Sequence, residues 1–129
     1  MVVTRGAGGG QTINAAELTG QGAAAPVNLL LPDGSELTLD DNRSYSVGVR
    51  MLASKAGAQA AASIVYELLV SAHAGALTIA ANTLSTLNAP GWGSAFTNPG
   101  GLTLRVTCTP NLDTVRFAAR LDWTSLPGA

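Results

Sequence analysis

Residues 101–123 read GLTLRVTCTPNLDTVRFAARLDW, and this stretch constrains the chain more than any other. Leu102, Leu104, Val106 and Cys108 alternate with Thr103, Arg105 and Thr107. After a break at residues 110–113, Val115, Phe117, Ala119, Leu121 and Trp123 alternate with Arg116, Ala118, Arg120 and Asp122. A period of two is the pattern of strands buried on one face only. The two strands are expected to form a hairpin with Cys108 opposite Val115, Val106 opposite Phe117, Leu104 opposite Ala119 and Leu102 opposite Leu121. A slip of one residue would turn a whole apolar row outward. This pairing would collect Arg105, Arg116 and Arg120 on one outer face, and the apolar face requires a second layer.

The rest of the chain supplies strands for that layer. Residues 27–31 are a short apolar strand closed by Pro32, Asp33 and Gly34, a sequence suited to a tight turn. Leu37 and Leu39 share one face of a strand at residues 36–39, and Asp40, Asp41 and Asn42 form a second turn. Residues 44–54 are a long strand with Tyr45, Val47, Val49 and Met51 on one face. Residues 55–59 form the tip that leads into residues 61–71.

In that returning strand Ile64, Tyr66, Leu68 and Val70 line one face. Val65 and Leu69 make the other face apolar too, around Glu67. A strand apolar on both faces is buried on both, so Val65, Glu67 and Leu69 are candidates for a subunit interface. Helix is the competing reading of residues 58–74, and the β-branched Ile64 and Val65 with Tyr66 favour strand. Residues 77–79 and 83–87 read as short strands, although Leu77, Ala80, Leu84 and Leu87 also fit one helical face. Residues 92–97 form a strand, and residues 98–101 turn it into the stretch described first. Short strands separated by Gly, Pro and Asn predict an all-β chain, an antiparallel β-sandwich of jelly-roll type over residues 26–129. Residues 1–25, rich in glycine and alanine, are expected to be an extended arm without a core of its own, held by a neighbouring subunit or protein.

Only 12% of the 129 residues are charged, against about 25% in ordinary soluble domains. Such a sparse surface suggests that much of it is covered by other subunits. With a net charge of −1 there is no electrostatic case for nucleic acid or an anionic membrane. No apolar run is long enough to span a bilayer as a helix. The first ten residues lack the apolar core of a secretory signal, so export by that route is not expected.

The sequence offers little to catalysis. His73 is the sole histidine, and no nucleophile-elbow sequence accompanies it. Metal-ligand spacing is absent, and Asp33, Asp40, Asp41 and Asn42 do not fit a calcium loop. The glycine run at residues 6–10 lacks the Lys-Ser/Thr ending of a phosphate loop. Cys108, the only cysteine, falls in an apolar row as a small hydrophobe. Trp92, between Gly91 and Gly93, reads as a loop anchor, with stacking on a sugar face as the alternative. No enzymatic activity, cofactor or metal is therefore expected.

The order LLLPDGSELTL at residues 29–39, then SVGVRMLAS, ASIVYELLV and the closing TNPGGLTLRVTCTPNLDTVRFAARLDWTSL, resembles the C-terminal modules of tailed-bacteriophage tail fibres and related virion appendages. The resemblance covers roughly residues 27–126 and rests on pattern and order, with no catalytic motif. It implies a β-sandwich that assembles as a homotrimer on a phage particle, made in the bacterial cytoplasm and used in the virion. Other virion proteins, reached through the N-terminal arm, and a host-surface glycan are the partners it implies. A head-decoration protein is the alternative virion role, and a carbohydrate-binding attachment module using Trp92 is the second class.

Overall fold

The computed structural model describes residues 13–55, 57, 60–87, 92–111 and 113–128. These form nine strands: β1 (Ile13–Ala23), β2 (Val27–Asn28), β3 (Leu37–Thr38), β4 (Arg43–Lys55), β5 (Ala61–His73), β6 (Ala76–Leu87), β7 (Gly93–Thr97), β8 (Thr103–Thr109) and β9 (Thr114–Pro127). No helix occurs among the described residues. The fold is the expected all-β antiparallel sandwich.

The large sheet has the order β1-β9-β4-β5-β6, and every neighbouring pair is antiparallel. In the small sheet β8 is central, with β7 along one edge and β2 and β3 along the other. Leu29 N–H bonds the carbonyl of Val106 and Leu39 N–H that of Leu102. Those two carbonyls lie an even number of residues apart, so β2 and β3 dock on one edge of β8. Residues 31–36 bulge out between them, around Gly34 at φ +87°.

The alternation works as expected within each strand. Tyr45, Val47, Val49 and Met51 of β4 are buried, as are Ile64, Tyr66, Leu68 and Val70 of β5 and Leu104, Val106 and Cys108 of β8. Tyr66 meets Phe96 of β7 edge to face, with ring centroids 4.9 Å apart. Apolar side chains removed from water in this way supply the main driving force for the sandwich.

The pairing of the last two strands differs from expectation. β8 and β9 are not a hairpin: β9 lies between β1 and β4 in the large sheet, and β8 lies in the small one. Their apolar rows face each other across the core. Both arrangements bury the same residues, so alternation cannot tell them apart. Strand length can, because β9 has 14 residues and β8 only 7. A fourteen-residue strand suits β4, which has 13.

The segment expected as an arm without a core of its own also differs from residue 13 onward. β1 pairs with β9 along its whole length, and Ala16 and Leu18 are fully buried. Its small residues are there for close approach. A Cβ on Gly20 would stand 2.8 Å from Leu29 Cδ2, and one on Gly22 3.2 Å from Val27 Cγ1. Glycine thus lets the chain leading out of β2 cross close over β1, where Thr19 and Leu30 exchange both backbone hydrogen bonds, 2.9 Å each. That bridge stitches the two sheets together at one corner. The arm's expected docking falls on residues 1–12, outside the described residues. Residues 77–79 and 83–87 are parts of one strand, β6, with a bulge that leaves Leu84 as the extra residue.

Candidate interaction face

The outward rows of the large sheet follow from its register. One row holds Thr19, Ala118, Leu52, Ser63 and Leu87, and the next Glu17, Arg120, Arg50, Val65 and Ser85. Below these come Ala15, Asp122, Gly48, Glu67 and Asn82, and then Thr124, Ser46, Leu69 and Ala80.

The structure therefore brings five of the expected interface residues onto one face: Val65, Glu67, Leu69, Arg116 and Arg120. Leu52 is 55% exposed, Leu69 60%, Leu87 63% and Leu126 67%, and all four point outward from this sheet. Leu84, at the bulge, is also exposed. An open groove of about 410 Å³ runs over Ala118, bordered by Thr19, Gly20, Gln21, Leu52 and Arg116.

The charges on this face are incompletely matched. Arg116 Nε donates to Gln21 Oε1 at 3.1 Å, and Arg120 Nε to Asp122 Oδ1 at 3.4 Å. Arg50 sits directly opposite Arg120 on the neighbouring strand, an arrangement that opposes itself. Among the described residues Arg50, Glu17 and Glu67 have no ion pair.

Arg105 does not join Arg116 and Arg120. It lies on β8, in the other sheet, because β8 and β9 are not neighbours. There it donates from Nε and Nη2 to both carboxylate oxygens of Glu36, at 2.9 and 2.8 Å. These hydrogen bonds from Arg105 hold the Glu36 carboxyl below the usual range. Beside it, Thr107 Oγ1 donates to Asn28 Oδ1 at 2.8 Å.

Trp92 is not a stacking surface. It is 4% exposed, and its indole N–H donates to Asp113 Oδ2 at 3.1 Å. Lys55 Nζ lies 3.0 Å from the other oxygen of the same carboxylate. The hydrogen bonds from Lys55 and Trp92 lower the Asp113 pKa. A tryptophan beside a proline and two glycines reads as a loop residue, but here it closes one end of the core.

Cys108 is buried, and burial pushes its thiol up to about 11. Its Sγ lies 3.4 Å from Met51 Sδ, so it fills the core as the sequence suggests. His73 is exposed at the end of β5. It borders an open polar groove of about 480 Å³ with Asn42, Arg43, Ser44, Ser71 and Gly128. Among the described residues no three His, Cys, Asp or Glu side chains gather as metal ligands.

No family model matches the sequence, and no curated protein matches it. Among solved structures the fold is similar to part of the tailspike protein gp49 of Acinetobacter baumannii bacteriophage Fri1, a capsular polysaccharide depolymerase. The match has a TM-score of 0.54 at 16% identity. The likeness is one of fold. It covers 88% of this chain, which spans 17% of that tailspike.

Proposed function

We propose that this chain is a structural module of a tailed-bacteriophage virion, part of a tail fibre or related appendage, and that it assembles as a homotrimer. The observation that carries this reading is the fold shared, over nearly the whole chain, with a short segment of a phage tailspike. The depolymerase activity belongs to the whole tailspike, of which the matched segment is a sixth or so. For this chain the reading is assembly, and through assembly host attachment, without turnover of a substrate.

The outer face of the large sheet supports self-association. Four leucines there are more than half exposed, two of them, Leu52 and Leu87, in one row across Ser63, and they give this face apolar contact points for another copy. Arg50, Glu17 and Glu67 offer both signs of charge for pairing with another copy. Val65, Glu67, Leu69, Arg116 and Arg120 belong to this proposed interface, and Arg105 does not.

Immunogold electron microscopy of purified phage particles tests the role. Label at tail fibres or the tail tip is the expected result. Label over the heads would replace the appendage reading with a head-decoration protein, and unlabelled particles would contradict both.

A further inference from the structure

The two edges of the large sheet are open over matching stretches. On β1, Thr19 sends its N–H and C=O to Leu30, on the side away from β9. Alternate residues Ile13, Ala15 and Glu17 must turn their backbone groups the same way. On β6, Leu77 N–H reaches Asn98 Oδ1 at 3.4 Å, on the side away from β5. Ile79, Ala81 and Thr83 therefore present their backbone groups along that edge. No backbone hydrogen bond meets either stretch among the described residues.

Exposed edges are commonly protected by charges or proline. Across Ala76–Leu87 β6 has neither, and its one irregularity is the bulge at Leu84. From Ala80 to Leu87 both of its faces are exposed as well.

The register sets the two open stretches at the same level. Ile13 shares a row with Ala80, Ala15 with Asn82, and Glu17 with Ser85. The Leu30 bridge closes the β1 edge at Thr19, in the row of Leu87, where β6 itself ends. With three antiparallel strands between them, β1 and β6 run in the same direction. In a ring whose axis follows the strands, each residue keeps its level from copy to copy. The open part of β6 in one copy then comes beside the open part of β1 in the next.

We propose that β6 of each copy pairs in parallel with β1 of its neighbour, joining the large sheets of three copies into one closed ring. This inference rests on the homotrimer proposed above. The contact is heterologous, one edge against a different edge, so it forms a ring only when the last copy meets the first. Closure leaves no open edge on the large sheet.

The test uses two variants of the full chain. Within one copy β1 and β6 are four strand spacings apart, roughly 19 Å, whereas a disulfide needs Cα atoms within about 7 Å. The double variant Ala15→Cys/Asn82→Cys, oxidised at micromolar concentration, should run as a covalent trimer on a non-reducing gel, and each single variant as a monomer. Cys108, fully buried, stays out of the reaction. Ala81→Pro removes an N–H that faces the open edge and spares the bonds to β5, so it should yield folded monomers by circular dichroism and light scattering. A wild-type trimer whose Ala81→Pro variant stays trimeric, and whose cysteine pair does not cross-link, overturns the strand pairing alone. A covalent dimer from Asn82→Cys by itself overturns it as well, because β6 would then meet β6. A monomeric wild type overturns the homotrimer and this inference with it.

Discussion

The two sheets share one core but differ on their outer faces. On the small sheet two outward polar side chains are met from within the chain: Arg105 by both oxygens of Glu36, and Thr107 by Asn28. On the large sheet Arg50 opposes Arg120, and Glu17 and Glu67 have no ion pair among the described residues. All five exposed large apolar side chains found among the described residues, Leu52, Leu69, Leu84, Leu87 and Leu126, belong to the large sheet. Both faces have strands of the same alternating kind, so strand pattern does not separate them. The partners of the outward side chains do: Arg105 and Thr107 are met from within the chain, whereas Arg50, Glu17 and Glu67 have no ion pair among the described residues.

The largest expected effect lies where the sheets do not differ, on the shared inner face. Phe117 is 3% exposed on the inner row of β9, and Phe117→Ala should cost on the order of 3–5 kcal/mol. A chemical-denaturation midpoint unchanged by this substitution would mean that β9 does not face the small sheet. Gly20→Val comes next, since a side chain there meets Leu29 at the corner joining the sheets. The expected loss is about 1–3 kcal/mol from overpacking. A silent substitution in a thermal melt would return residues 13–23 to an arm outside the core.

The smallest effect concerns the outer face of the small sheet. Glu36 titrates below its ordinary value because Arg105 bonds its charged form. Its contribution is therefore present above the unfolded carboxyl pKa, about 4.3, and is lost as pH falls through the lower folded value. Wild type should melt slightly higher than Glu36→Gln at pH 7, and the two curves should converge near pH 2. A gap that persists undiminished in acid would mean that the Arg105 contact does not set the difference.

Much of the fold was legible in the sequence because alternation reports which face of a strand is buried. The inner rows of β4, β5 and β8 could be read residue by residue. Alternation does not report what a strand lies beside, so β8 and β9 read as a hairpin when they face each other across the core. β1 was hidden for a different reason. Its close contacts demand glycine at positions 20 and 22, and glycine-rich sequence reads as linker. The burial of Trp92 is not legible locally, since its hydrogen-bond partner Asp113 lies 21 residues away. At the candidate face, Val65 and Leu69 were legible as a second apolar row on β5. Leu52, Leu87 and Leu126 were not, because each is a single apolar residue in the outward row of its own strand, and only the register puts Leu52 and Leu87 in one row.

The mass of the chain in solution tests the central claim, that the outer face of the large sheet is covered by other copies. In size-exclusion chromatography with light scattering at micromolar concentration, wild type should show three times the 13.0 kDa of one chain. Leu69→Asp places a carboxylate in that face, where a desolvated, unpaired charge is costly, and it should elute as a folded monomer. Thr107→Asp, the matching change on the small sheet, should remain a trimer. A wild-type mass of one chain, or a Leu69→Asp variant still three chains in mass, would contradict the claim.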